Sequence, residues 1–155
     1  MPSMSDDTFQ LTSGAIPAGG SIPARFTCDG EDESPDLDWA GAPAEAQTFA
    51  LIVDDPDANG FVHWVAFDLT ASTTGGLARG VSASPDAPPQ GTNSFKKIGW
   101  NGPCPPSGTH HYRFRLLALD TELGLPNAPS ADEVLRAAEG HILDEAELTA
   151  TYTRA

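Results

Sequence analysis

The sequence is poor in lysine and in long apolar runs, and each shortage excludes a class of function. Lys96 and Lys97 are the only lysines, and 22 Asp and Glu residues against 8 Lys and Arg give a formal net charge of −14. Such a charge repels nucleic acid and anionic lipid, because phosphate groups bind through Lys and Arg. We therefore expect no nucleic-acid partner. No run of about eighteen apolar residues occurs, so no membrane insertion is expected either.

The acidic composition has two explanations, and composition alone does not choose between them. One is a well-solvated acidic surface, and the other is a halophile with a saline cytoplasm, in which salt screens the excess charge. The opening residues MPSMSDD lack the basic stretch and apolar run of a secretory signal. We expect a cytoplasmic protein in which residues 1–7 form a flexible acidic tail and residues 8–155 form a single domain.

Cysteines and catalytic motifs are also scarce. Cys28 and Cys104 lack the CxxC spacing of zinc and redox sites; a disulfide between them is possible, although cytosolic thiols are usually reduced. The sequence has no GxSxG or HExxH motif and no glycine-rich phosphate loop. Hydrolysis by a serine nucleophile and nucleotide binding through such a loop are therefore unsupported, and we expect no cofactor and no bound metal.

What the sequence does have is period-two alternation, which predicts a mainly β protein. The 15 glycines and 14 prolines are typical of a loop-rich β fold rather than a helical bundle. A helix is expected where Ser130 and Glu133 form a capping box and Gly140 ends it. Strands are expected over 48–53, 61–69, 110–119 and 142–153, and a long Pro- and Gly-rich connection over 71–94.

The phase of these strands identifies candidate site residues. In the strand 110–119, His110 and Tyr112 lie on the core face, whereas His111 lies on the opposite face with the arginines. In the strand 61–69, alternation places His63 on one face with Phe61, Val65, Phe67 and Leu69. A turn rich in carboxylates follows the strand 48–53 and contains Asp54, Asp55 and Asp57.

Together these groups predict a small pocket at the edge of the sheets. Imidazole N–H and tyrosine O–H groups are donors for a phosphate or a carboxylate, and a neighbouring aspartate would orient the imidazoles or keep them charged. One alternative is a metal-dependent hydrolase that uses His63, His110 and Asp55 as ligands. Another is a protease or kinase inhibitor that acts through its loop surface, with the pocket incidental.

At these residues the chain resembles the phosphatidylethanolamine-binding protein (PEBP) family, also called the Raf kinase inhibitor-like family, in its short prokaryotic branch. Two motifs surround the candidate pocket, "DDPDANGFVHWVAF" at 54–67 and "GPCPPSGTHHYRF" at 102–114. Two more are "IPARFTCDGEDESPDLDW" at 22–39 and "AAEGHILDEAELTATYTR" at 137–154. The four motifs occur in the family's order and cover nearly the whole chain.

The resemblance implies an antiparallel β-sandwich with a few short peripheral helices. It also implies an anion pocket formed by Asp55, His63, His110 and Tyr112. The wall of that pocket would contain Asp57, Gly102 and Pro103. The family is described as binding lipid head groups, modulating kinase cascades or inhibiting proteases, so a non-enzymatic protein with a small anionic ligand and a kinase or protease partner is expected. Prokaryotic members often form homodimers, to which Leu117 and Leu119 would contribute unless they pack beneath the second sheet.

The chain departs from the family pattern at two positions. Asn59 replaces the proline that ends the DPDAP turn, which predicts a more mobile rim, and His111 replaces an arginine. The resemblance also places Cys28 and Cys104 near the mouth of the pocket.

Overall fold

The computed structural model describes residues 8–70, 74–126 and 128–154, so the predicted tail at 1–7 lies outside the described residues. Within these ranges the chain forms seven strands, one α-helix and three short 3-10 turns. The strands are β1 (Gln10–Thr12), β2 (Leu37–Ala40), β3 (Thr48–Asp55), β4 (Phe61–Thr70), β5 (Thr74–Leu77), β6 (Gly108–Leu119) and β7 (Ile142–Arg154). The helix is α1 (Ala131–Ala138), and the 3-10 turns are Ala24–Phe26, Pro56–Ala58 and Val81–Ala83.

The strands form two antiparallel sheets, as the sequence predicts. One sheet has the order β1-β2-β5 and the other has the order β4-β3-β6-β7. The strand β3 lies between β4 and β6, and all eight of its residues are buried. This confirms that the apolar run at 48–53 is a buried central strand, because such a strand is covered on both faces.

The larger core, which we call the inner core, lies between the two sheets. Leu11, Leu37 and Trp39 enter it from the three-stranded sheet. Residues from all four strands of the other sheet meet them, including Phe49, Leu51, Trp64, Phe114, Leu116 and Leu148. Aromatic contacts join the two layers, since the rings of Trp39 and Phe49 are 5.4 Å apart. The fold is therefore a β-sandwich.

A second core, the outer core, lies on the other face of the four-stranded sheet. The helix α1 covers this face with Ala131, Val134 and Ala138, which pack on Ala50, Ile52, Val65, Phe67, Leu117 and Leu119. Leu117 and Leu119 are therefore buried under α1 within the chain, neither in a dimer interface nor beneath the second sheet. The predicted capping box is present, because Ser130 Oγ accepts from Glu133 N–H and Glu133 accepts from Ser130 N–H.

The structure corrects one expectation about the connections between strands. The segment 71–94 is not a continuous loop, because Thr74–Leu77 forms β5 and Val81–Ala83 forms a 3-10 turn. The run TGGL carries little apolar signal, and pairing with β2 supplies the order that its own composition lacks.

No helix in the described part of the chain is long and apolar enough to cross a membrane.

Candidate functional site

The ends of three neighbouring strands position the candidate site. Asp55 is the last residue of β3, His63 lies near the start of β4, and His110 and Tyr112 lie near the start of β6. Since β4, β3 and β6 are adjacent and antiparallel, these ends meet at one edge of the sheet. The structure thus brings together the four residues that the sequence predicts to bind an anion.

His63 reaches this edge through an irregularity in β4. Asp54 pairs with Val62 and Val53 pairs with Trp64, so His63 is an extra residue with no opposite partner on β3. The prediction that His63 shares a face with Val65 and Phe67 was therefore wrong, whereas Phe61 lies on its side as predicted. His63 faces the Tyr112 ring at 5.3 Å, whereas Val65 and Phe67, expected beside it, pack in the outer core. An extra residue changes the face of the residues that follow it, because side chains alternate with period two.

The His63 ring is held in one orientation and is neutral at pH 7. It is 4% exposed, and its Nδ1 lies 2.7 Å from the carbonyl oxygen of Asn101. A carbonyl only accepts, so Nδ1 carries the hydrogen and the neutral ring has a bare Nε2. Burial lowers the pKa of His63, and the carbonyl of Asn101 offsets this only in part. Nε2 is therefore an acceptor until acid protonates it.

His110 is oriented by Asp55. Its Nδ1 lies 2.5 Å from Oδ2 of Asp55, while Oδ1 of Asp55 accepts the N–H of Asp57 at 2.8 Å. Both oxygens of this buried carboxylate are thus engaged. Because Nδ1 of His110 donates to Asp55, its Nε2 is the nitrogen left for a ligand.

Tyr112 supplies a free hydroxyl at the same place. The residue is 1% exposed, and no other described residue makes a hydrogen bond with its hydroxyl group. Burial raises the pKa of Tyr112 well above its ordinary value, and the nearby Asp55 carboxylate raises it further. The hydroxyl therefore remains a donor at every physiological pH, and it is available to a group in the cavity.

These groups border a cavity of about 270 Å³ that is otherwise apolar. The polar side is formed by Asp55, His63, His110 and Tyr112. The remaining lining residues are Ala58, Phe61, Phe95, Cys104, Pro105 and Pro106. Asp57, Gly102 and Pro103, which the sequence analysis places at the wall, are not among the lining residues. The wall is formed instead by their neighbours along the chain and by Phe61 and Phe95.

Asp57 fastens the turn that follows β3 to the outside of β6. Its Oδ2 accepts from the backbone N–H of His111 at 2.7 Å and lies 2.8 Å from Nδ1 of His111. Hydrogen bonds from His111 lower the pKa of Asp57. Asp54, on the same strand end, pairs with Arg113 through two hydrogen bonds of 3.1 and 2.9 Å. Each of the three carboxylates therefore has its own basic partner on β6, and only Asp55 faces the cavity.

Asn59 gives this turn a conformation that proline cannot adopt. Its φ is 58°, in the left-handed region, and the N–H of Gly60 donates to the carbonyl of Asp55 at 3.0 Å. Proline fixes φ near −65°, whereas asparagine tolerates the left-handed region. The replacement of proline by Asn59 thus changes the path of the turn that carries Ala58 to the cavity.

The loop 102–107 is tied to the loop 27–33 behind the cavity. Gly102 N–H donates to Oδ1 of Asp32 at 2.7 Å, and Cys28 N–H donates to the carbonyl of Pro103 at 3.2 Å. Cys28 and Cys104 form a disulfide, so of the two alternatives left open by the sequence the structure has the oxidised pair rather than the reduced thiols that a cytosolic location favours. The resemblance correctly placed both cysteines near the mouth, because Cys104 lines the cavity. Disulfides persist mainly in oxidising compartments, so this pairing gives no support to the expected cytoplasmic location.

Phe61 and Phe95 are lining residues that sequence reasoning missed. Phe61 shares the strand end with His63, and its ring lies 5.3 Å from that imidazole, so proximity to His63 was an available signal. Phe95 belongs to a polar loop whose sequence gives no indication of the cavity. Only the folding of that loop against β4 brings its ring within 5.6 Å of His63.

The residues proposed as a metal site do not form one. No group of three or more His, Cys, Asp or Glu side chains within the described ranges is arranged to hold a metal ion. Asp55 would be the third ligand of the hydrolase alternative, yet both of its oxygens already accept hydrogen bonds from His110 and Asp57. Asp55 instead orients the His110 ring through this hydrogen bond.

Comparisons with known proteins agree with the fold and with the four sequence motifs. Residues 12–153 match the family model described as phosphatidylethanolamine-binding protein. A UPF0098 protein of Methanothermobacter thermautotrophicus is 51% identical over 140 residues, which is 87% of this chain and 92% of the relative. A UPF0098 protein of Aquifex aeolicus is 39% identical over 152 residues, covering 94% of this chain and 88% of the relative.

Two solved structures match nearly the whole chain. A protein of Chlamydia trachomatis described as a PEBP homolog has a TM-score of 0.87 and 34% identity, covering 96% of this chain and 99% of its own. YbcL of E. coli, described as a member of the mammalian PEBP family, has a TM-score of 0.86 and 31% identity, covering 95% and 99%.

Proposed function

The chain belongs to the phosphatidylethanolamine-binding protein family, and we propose that it is a non-enzymatic binding protein whose pocket accepts a small anionic group. The observation that carries this proposal is the hydroxyl of Tyr112. It belongs to a residue that is 1% exposed, it is protonated, no residue in the described part of the chain makes a hydrogen bond with it, and it opens onto the cavity beside two imidazoles. A donor in this position favours an acceptor from outside the chain.

Protonation of histidine makes ligand binding depend on pH. Each ring uses Nδ1 to contact the protein, His63 through Asn101 and His110 through Asp55, so that Nε2 remains for the ligand. At neutral pH the bare Nε2 of His63 accepts a hydrogen bond from a ligand that carries its own acidic hydrogen. Because burial lowers the pKa of His63, its ring gains a proton only in more acidic solution than an ordinary histidine does, and it then becomes a donor with a positive charge. Affinity for a fully ionised anion therefore rises as the pH falls, until the anion itself is protonated.

The biological output that we propose is modulation or inhibition of a partner kinase or protease. The loops at the mouth of the pocket, which carry Phe95 and Pro105, would present a bound group or their own surface to that partner. This step rests on family membership rather than on a contact in the chain. Nothing supports the hydrolase alternative, because Asp55 is engaged by His110.

Isothermal titration calorimetry with phosphate and acetate, at about pH 6 and pH 8, tests the pocket. We expect binding at pH 6 and weaker binding at pH 8. Tyr112→Phe removes one hydrogen bond of about 0.5–1.5 kcal/mol and is expected to reduce affinity about twofold to tenfold. His110→Ala is expected to reduce it at least as much, because a ligand contact and the partner of Asp55 are both lost.

His141→Ala is the matched control. His141 is also paired with an aspartate, Asp120, but it is exposed and lies outside the cavity. It should leave affinity unchanged. If neither phosphate nor acetate binds at pH 6, or if His110→Ala binds as tightly as the unmodified chain, the proposed anion pocket is wrong.

A further inference from the structure

The cavity is larger than the anionic group that its polar side can bind. A water molecule occupies about 30 Å³, so a group of four or five non-hydrogen atoms, such as acetate or phosphate, displaces roughly 120–150 Å³. The cavity has a volume of about 270 Å³. Close to half of it therefore remains beyond an anion that contacts Tyr112 and the two histidines, and that remainder borders apolar side chains.

An aromatic corner forms much of the apolar side. The rings of Phe61 and Phe95 meet edge to face at 4.8 Å, and both lie within 5.6 Å of the His63 ring. Ala58, Pro105 and Pro106 complete the apolar lining. Phe95 is 38% exposed even though large apolar side chains are usually buried. An apolar group in the cavity would cover part of this exposed ring.

The loop that carries Phe95 is held in a defined shape. The buried side chain of Asn93 accepts from the N–H groups of Phe95 and Lys97, and donates to Asn101 and to the carbonyl of Gly99. The carbonyl of Asn101 also accepts the hydrogen bond from Nδ1 of His63. One hydrogen-bond network therefore fixes both the loop that carries the Phe95 ring and the His63 imidazole. Phe95 is thus preorganised for contact with a ligand, which limits the entropy lost on binding.

Charge indicates which anion suits the polar side. At neutral pH the cavity offers few donors, since Tyr112 provides one and the bare Nε2 of His63 accepts. Asp55 is buried in the lining, and the chain as a whole carries a net charge of −14. A doubly charged phosphate needs several donors, whereas a carboxylate needs fewer and is repelled less.

We propose that the pocket selects small carboxylic acids that bear a compact apolar group, such as an arylalkyl acid, and that Phe95 is the residue that recognises this group. The inference rests on the proposed anion pocket and names its ligand class. The carboxylate accepts the hydrogen bond of the Tyr112 hydroxyl, while the apolar group fills the corner formed by Phe61 and Phe95.

Calorimetry with acetate, phenylacetate and the uncharged phenylacetamide tests the proposal. Burial of a ring at about 25 cal/mol per Å² predicts that phenylacetate binds at least about tenfold more tightly than acetate. Phe95→Ala should remove most of this gain, so that the ratio of the phenylacetate affinity to the acetate affinity falls towards one. Ile98→Ala is the matched control, because Ile98 is 64% exposed on the same loop but does not line the cavity. It should keep the full gain.

The outcomes distinguish failure of this inference from failure of the proposed function. If acetate binds and phenylacetate binds no more tightly, the ligand class is wrong and the anion pocket stands. If Phe95→Ala keeps the tenfold gain, the recognition assigned to Phe95 is wrong. If phenylacetamide binds as tightly as phenylacetate, or if neither acid binds while phosphate does, the ligand class is wrong and the anion pocket stands; if phosphate fails to bind as well, both are overturned.

Discussion

Replacement of both Cys28 and Cys104 by serine tests how the wall of the cavity is held. The disulfide joins the loop 27–33 to the loop before β6, and hydrogen bonds from Cys28 N–H to Pro103 and from Gly102 N–H to Asp32 join the same loops. These backbone contacts do not depend on sulfur. We therefore expect the double variant to keep the fold and to lose stability mainly because its unfolded chain is less constrained.

The separation of the two cysteines sets the magnitude of this loss. They are 76 residues apart. A cross-link of that span removes about 15 cal/mol/K of loop-closure entropy from the unfolded chain, or about 4.5 kcal/mol at 25 °C. A domain of this size changes its Tm by about 2–4 °C per kcal/mol, so the predicted decrease is about 9–18 °C. Residual structure in the unfolded chain makes this an upper range.

Differential scanning calorimetry with and without a reductant measures the effect. The reduced unmodified chain should melt at the temperature of the double serine variant, and the reductant should leave that variant unchanged. A single serine substitution is unsuitable because it leaves a free thiol. A difference in Tm below about 3 °C, or two titratable thiols in the native oxidised protein, would refute the reasoning.

Three further predictions concern stability and are measured by urea denaturation. Burial lowers the pKa of His63 in the folded chain, so on acidification the unfolded chain binds a proton at this imidazole before the folded chain does. The free energy of unfolding should therefore fall as the pH drops below about 6.5, the ordinary histidine pKa. This fall should be smaller in His63→Gln. In Gly102→Ala the added Cβ would lie 2.0 Å from the carbonyl oxygen of Phe26, so we expect a loss of about 2–3 kcal/mol. Ser130→Ala removes the cap of α1 and should cost about 1 kcal/mol.

Matched substitutions control these predictions. His141→Gln alters an exposed histidine and should not change the pH dependence as His63→Gln does. Gly108→Asn places a side chain in open space at a positive φ that asparagine tolerates, and it should cost much less than Gly102→Ala. Ser130→Thr should retain most of the cap. Equal losses within either the glycine pair or the serine pair would contradict the structural reason given for it.

Alternation and capping signals predicted much of the fold from the sequence. The strand β6 keeps an unbroken period of two, so the opposite directions of His110 and His111 were predicted correctly. The helix α1 was predicted from its caps. These features are local, because the residues that determine them lie within a few positions along the chain.

Features that depend on pairing with distant segments were not predictable in the same way. The extra residue in β4 at His63 is determined by its pairing with β3, and it changes the face of Val65 and Phe67. The strand β5 exists because β2 pairs with it. The disulfide depends on two loops that lie 76 residues apart and meet only after the sandwich forms.

The division of the cavity between strands and loops has a consequence for how the protein can evolve. Tyr112 and Asp55 belong to strands whose neighbouring side chains fill the inner core, so substitutions there also disturb the fold. Phe95 and Pro105 lie on loops, where packing constrains sequence less. Under the proposed function, a change of ligand preference would need substitutions in the loops alone, whereas a substitution at the polar end of the pocket would also affect folding.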